Sequence, residues 1–186
     1  AGAGADNESA LAFGGPNDAP GGDNQALTES WNGTSWTETG NLNQARGSLT
    51  GTGIITSALA IGGYNAPPDG DTFFDLTESW NGSSWTEVGD LNTGRQSLAS
   101  AGVNTTAALV FGGTAPPSPT ASIQVLVESW NGSSWTETTD LSTGRHNLTG
   151  TGSYPAALAS GGRTPTTVGA TEEWNNGPVV ATFEAS

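Results

Sequence analysis

One decapeptide keeps returning along this chain. ESWNGTSWTE fills 29–38, ESWNGSSWTE fills 78–87 and again 128–137, at intervals of 49 and 50 residues, and a worn copy, EEWNNG, stands at 172–177. Gly-Gly pairs at 14–15, 62–63, 112–113 and 161–162 keep the same step, each after a short apolar run, and Arg46, Arg95 and Arg145 close successive units. A period of about 20 to 50 residues marks modules too small to bury an apolar face alone, so neighbours must stack. The repeat therefore constrains the architecture before any single segment is read.

Within a unit, short apolar or alternating runs bounded by Gly, Pro and Asn predict four strands, and no stretch has helical periodicity. In the second unit the strands fall at 48–53, 57–61, 76–80 and 84–88; residues 1–5 align with the first strand of later units, and the last unit closes with 179–184. Asn81-Gly82 predicts a two-residue type I′ turn, whose central residues both need φ > 0. That turn sets Trp80 opposite Ser83 and Glu78 opposite Trp85. Leu76, Glu78, Trp80 and Trp85 then share one face, and Thr77, Ser79, Ser84 and Thr86 share the other. The matching pairs are Trp31 with Trp36 and Trp130 with Trp135, while Trp174 stands alone in the fourth unit. At roughly 25 cal/mol per Å² over about 150–250 Å², each buried Trp contributes several kcal/mol. The seven indoles are therefore expected in the core between units. The in-register Arg46, Arg95 and Arg145 are expected inside the same joints, bonded to repeat glutamates or backbone carbonyls, with Arg95 reaching Glu78 or Glu87.

An apolar stretch ending in Gly-Gly, a downstream Trp and an Arg leading into the next unit resembles the kelch repeat, with Gly62, Gly63, Trp80, Trp85 and Arg95 in the diagnostic places. The WNGSSW variant is also similar to repeats in surface proteins of marine phages and marine bacteria. The resemblance implies an all-β, kelch-like β-propeller in one domain. Its four blades of four antiparallel strands would lie at approximately 1–40, 47–89, 97–139 and 147–186. Four such blades make a small ring. The expectation is a ring closed by this chain; completion by further chains and membership of a longer array are the alternatives.

Charge and missing residue types remove whole classes of function. Four Arg, no Lys and 18 acids give a net charge of −14, which suits neither nucleic acid nor an anionic bilayer, both of which require cations. No apolar run approaches the length of a membrane span, so membrane insertion is not expected. The first residues carry neither a basic nor an apolar leader region, which suggests a mature or excised segment. With no Cys, disulfides and thiolate metal sites are excluded. The same absence removes the copper-radical chemistry of one kelch-containing oxidase family, which needs a Cys–Tyr cross-link. His146 is the lone His and has no repeat-encoded acid–base partner. Asp69, Asp71 and Asp75, and Asp18, Asp23 and Asn24, put hard oxygen ligands in loops, the type Ca²⁺ takes, without the spacing of a calcium loop. Ca²⁺ is thus the one cofactor considered, and no metal site is assigned.

The connections between second and third strands differ wholly between units: 16–25, 64–74, 114–123 and 163–169. With strands alternating in direction they share a rim with the nearly constant fourth-to-first linkers. A rigid scaffold with divergent loops on one rim is a common recognition surface. The candidate binding residues are Tyr64, Asp69, Asp71, Phe73, Phe74 and Arg163. The expected function is a non-enzymatic structural or adhesion module, extracellular or on a virion surface, that binds a protein or glycan and forms a homo-oligomer if the ring needs one. A carbohydrate-active enzyme with a carboxylate pair at the channel and a cytoplasmic kelch-type adaptor are the competing expectations.

Overall fold

The structure is a computed structural model and describes residues 1–16, 24–65, 72–116 and 122–175, with the backbone of 181–183. All regular structure among them is β. Sheet 1 comprises Gly2–Gly4, Ala10–Gly15, Gln25–Trp31 and Trp36–Glu38; sheet 2 comprises Thr50–Ile54, Ser57–Ile61, Thr77–Trp80 and Trp85–Glu87. Sheet 3 comprises Ala99–Asn104, Ala107–Phe111, Val127–Trp130 and Trp135–Glu137; sheet 4 comprises Thr149–Ser153, Ala156–Ser160, Thr171–Asn175 and Ala181–Phe183. Each is an antiparallel meander in chain order. Two short ribbons, Tyr64–Asn65 with Thr72–Phe73 and Thr114–Ala115 with Ser122–Ile123, extend the second-to-third connections of sheets 2 and 3.

The first strands of successive sheets lie side by side. Together they line a cavity of about 450 Å³, walled by small residues such as Gly51, Thr52, Ser100, Gly150 and Thr151. Gly51 and Gly150 are required by this crowding, since a Cβ at either would clash, with the Phe13 ring or with the Ser100 backbone.

Strand alternation gives every sheet two chemically different faces. The leading face, turned toward the preceding sheet, carries Ala58, Ala60, Glu78, Trp80, Trp85 and Glu87 in sheet 2. The trailing face carries Leu59, Ile61, Thr77 and Ser79. Three apolar cores follow, each built from one trailing and one leading face. Leu11 and Phe13 meet Ala58, Ala60, Trp80 and Trp85; Leu59 and Ile61 meet Ala108, Val110, Trp130 and Trp135; Leu109 and Phe111 meet Ala157, Ala159 and Trp174.

The hairpin differs from the sequence expectation in register. Trp80 pairs with Trp85, Ser79 with Thr86 and Glu78 with Glu87, so the loop is the four residues 81–84 and Trp80 does not face Ser83. The cause is the Asn81 side chain, whose Oδ1 accepts from the backbone N–H groups of Ser83 and Ser84, both at 3.0 Å. This Asx closure competes with the tight turn and leaves only Gly82 at positive φ, +97°. A register change of two residues preserves which side chains share a face. Ser84 alone moves, from the hydroxyl face into the turn.

The first strands begin later than expected, at Thr50 rather than 48, because Ser48, Ser97 and Asn147 adopt left-handed φ values of 51°, 55° and 53°. Each costs on the order of 1–2 kcal/mol for a non-glycine residue. Lateral bonds offset that cost: Ser97 N–H donates to Ser48 O and Asn147 N–H to Ser97 O, both at 2.8 Å.

Candidate functional site: the joints and the loop rim

The repeat arginines are fully enclosed. Arg46 Nη1 donates to Glu78 Oε1 at 2.8 Å, Arg95 Nη2 to Glu128 Oε1 at 2.6 Å and Arg145 Nη2 to Glu172 Oε1 at 2.6 Å, with no side chain of either kind more than 3% exposed. Each guanidinium therefore reaches forward to the glutamate of the next sheet. The expected pairing of Arg95 with Glu78 or Glu87 is corrected to Glu128, since the linker carrying Arg95 leaves sheet 2 and runs beneath sheet 3. The fork divides its donors between one carboxylate oxygen and backbone carbonyls: Arg95 Nη1 also donates to Gly112 O and Leu126 O, and Arg145 Nη1 to Gly161 O and Ala170 O. Burial pulls the Arg46 and Arg95 guanidiniums below their ordinary value, against the opposing pull of Glu78 and Glu128.

The second oxygen of each glutamate is also occupied. Glu78 Oε2 accepts from Asn43 N–H at 2.8 Å and Asn43 Nδ2 at 2.7 Å; Glu128 Oε2 accepts from Asn92 in the same two ways; Glu172 Oε2 accepts from Ser142 N–H at 2.7 Å. Asn43, Asn92 and Ser142 were not among the sequence candidates. Their signal was their fixed place three residues before Arg in every linker. The Gly-Gly pairs complete the joint. Gly63 N–H donates to Arg95 O at 2.8 Å, and a Cβ on Gly62, whose φ is +63°, would lie 2.7 Å from that same carbonyl.

The indoles divide by sheet. Trp80, Trp85, Trp130, Trp135 and Trp174 are buried, as expected of core. In sheets 1 to 3 the first Trp ties to its own sheet: Trp31 Nε1 donates to Asn7 O, Trp80 Nε1 to Ile55 O and Trp130 Nε1 to Thr105 O, whereas Trp174 Nε1 in sheet 4 is buried without a partner among the described residues. The second Trp crosses the joint, Trp85 Nε1 to Thr28 Oγ1 and Trp135 Nε1 to Thr77 Oγ1, each at 2.9 Å. Sheet 1 breaks the expectation, with Trp31 half-buried and Trp36 47% exposed. No sheet covers its leading face, so the expected packed seam between the fourth and first units is absent among the described residues.

The loop candidates cluster in part. Backbone bridges Gly47 to Tyr64, Gln96 to Thr114 and His146 to Arg163 place each linker against the second-to-third connection of the following sheet, so the two connection types share one rim. Tyr64 and Phe73 pair edge-to-face with centroids 5.6 Å apart, and Phe74 adjoins them, all half-buried. Phe74 N–H donates to Gly63 O at 2.9 Å, which anchors this aromatic group to the joint below it. Arg163 is exposed in sheet 4 and belongs to a different loop. Asp69 and Asp71, like Asp18 and Asp23, lie outside the described residues. Among the described residues no group of three metal-ligating side chains comes together.

No protein-family model matches this sequence, and no curated protein matches it. Among the described residues no helix is long and apolar enough to cross a membrane.

Proposed function

We propose that the four sheets are blades of a kelch-like β-propeller, and that the chain is a non-enzymatic structural or adhesion module of an extracellular or virion surface. It binds a protein or glycan through the loops of one rim. One observation supports this reading: at the three joints the repeat's arginines, the glutamates they pair with and the indoles of sheets 2 to 4 are enclosed, whereas Tyr64, Phe73 and Arg163, which vary between units, lie in the rim connections. Tyr64 and Phe73 supply the aromatic part of that surface, in a form that stacks on the apolar face of a sugar or fills a pocket on a protein. The high acidity without Lys suits a salty medium, in which screening suppresses self-repulsion.

The carbohydrate-active alternative requires two carboxylates spaced across the cavity. Among the described residues the lining contributes one, Asp6, beside glycines and hydroxyls, which favours binding over hydrolysis. A glycan array with the full chain tests the proposal. Specific binding abolished by Tyr64→Ala or Phe73→Ala supports it; binding indifferent to both substitutions, or bond cleavage in the bound glycan, overturns it.

A further inference from the structure

Three joints show what a leading face packs against, and one leading face has nothing packed on it among the described residues. On sheet 1, Trp36 is 47% exposed, Leu27 is 44% exposed and Glu29 is exposed, with no arginine against it among the described residues. The same positions in sheets 2 and 3 hold the buried Glu78 and Trp85, and Glu128 and Trp135. At the other end no described residue covers the trailing face of sheet 4. Leu158 is 36% exposed where Leu11, Leu59 and Leu109 are buried, and a hollow of about 300 Å³ opens beside it, lined also by Thr151, Gly152, Ala156 and Glu173.

These two surfaces match by the chemistry of the joints themselves. The second Trp of sheets 2 and 3 donates across the joint to a threonine immediately before the repeat glutamate, Thr28 for Trp85 and Thr77 for Trp135. The third sheet has Val127 at that place. It faces the one unit whose repeat has lost its second Trp, where Val179 stands instead. The threonine is thus present at both joints that a second Trp enters and absent at the joint whose unit lacks one, where the remaining indole, Trp174, keeps a buried Nε1 without a partner among the described residues. Sheet 4 restores the acceptor with Thr171, so it is built to precede a unit bearing a second Trp. Sheet 1 bears that Trp, and the Trp36 indole N–H has no partner among the described residues.

We infer that sheet 4 of one copy packs on sheet 1 of a second copy. The Trp36 indole donates to the Thr171 hydroxyl, and Leu158 lies against Ala10, Ala12 and the Trp31–Trp36 pair. The contact is head-to-tail, joining unlike faces, so it propagates until geometry closes it. The described residues of sheet 4 bring no arginine to Glu29, which enters the joint as an unpaired carboxylate next to Glu173. The association is therefore weaker than the internal joints, and Glu29→Gln strengthens it. The inference does not rest on the rim loops or on any ligand.

Sedimentation equilibrium of the full chain, from micromolar to hundreds of micromolar, is the test. The expected result is a mass that rises with concentration, with a dissociation constant lowered about 3- to 10-fold by Glu29→Gln. Trp36→Glu and Leu158→Glu, both at exposed positions and checked for native circular dichroism, each remain monomeric. Mixed together they form a 1:1 complex and nothing larger, because each contributes one intact face. A wild-type chain that is monomeric throughout overturns the inference. In that case, protection of Trp36 from acrylamide quenching would show that the chain's own ends meet, and exposure would show that neither face docks. Dimerisation of either variant alone also overturns it, since that requires a self-complementary patch.

Discussion

Trp36 and Trp85 occupy the same place in two copies of one motif, in hairpins with the same register. Yet Trp85 is 5% exposed, stacked edge-on against Phe13 with centroids 4.8 Å apart and bonded to Thr28, while Trp36 is 47% exposed. Glu29 and Glu78 repeat the contrast, one exposed and the other held by Arg46 and Asn43. Local sequence shapes the hairpin and its two-Trp face. What that face is worth depends on the unit that precedes it.

The largest test of the contrast is indole removal. Trp85→Ala is expected to cost about 3–5 kcal/mol, through lost burial, a cavity and an unpaired Thr28 hydroxyl. Trp36→Ala is expected to stay within about 1 kcal/mol. Urea denaturation at concentrations dilute enough to keep the chain monomeric measures both, and equal losses would erase the distinction between the two faces. The buried ion pair comes next. Arg95→Ala leaves Glu128 enclosed with only Asn92 as partner, and is expected to cost about 3–5 kcal/mol, whereas Glu29→Gln should shift stability by no more than about 0.5 kcal/mol. Arg95→Lys sharpens the point, because an ammonium cannot serve the carboxylate and two carbonyls in the same plane; an unchanged melting temperature would contradict the role of the fork.

A smaller effect separates the hydroxyl from its shape. Thr77→Val leaves the Trp135 indole N–H unpaired in a buried site and is expected to cost about 1–3 kcal/mol, read from the same denaturation midpoints. The opposite substitution, Val127→Thr, puts a hydroxyl into the apolar cluster that Val127 shares with Trp174, at the joint that no second Trp enters, and should not stabilise. The smallest effect is pH-dependent. Asp6 Oδ1 accepts from the Glu8 N–H, the Ser9 hydroxyl and the Ser9 N–H, which holds its carboxyl below the ordinary Asp value. A folded-state pKa lower than the unfolded one stabilises above the ordinary carboxylate range, and the contribution is lost as pH falls through the lowered value. The difference between wild type and Asp6→Asn should therefore shrink across that acidic window; a constant difference would assign the loop's order to something other than the charge.

Much of the architecture was legible because repetition turns local signals into global ones. The four strands per unit, the shared face of Trp80, Trp85 and Glu78, and the enclosure of Arg46, Arg95 and Arg145 all follow from alternation and from the need to cover indoles. The hairpin register was not, since the Asx closure by Asn81 and the type I′ turn begin from the same two residues, and only the side-chain bond separates them. Asn43, Asn92 and Ser142 were missed because their value lies in an oxygen atom more than 25 residues away in the next sheet.

The amino-acid order by itself determined that this chain is a tandem of sheets with one indole face and one aliphatic face, because a period-2 strand pattern at a fixed interval permits little else. Tertiary structure alone decided which glutamate each arginine meets, and that no described residue packs on the leading face of sheet 1 or the trailing face of sheet 4. Both depend on how one sheet sits over its neighbour, and a neighbour is supplied by packing in three dimensions rather than by any residue's place within its own repeat.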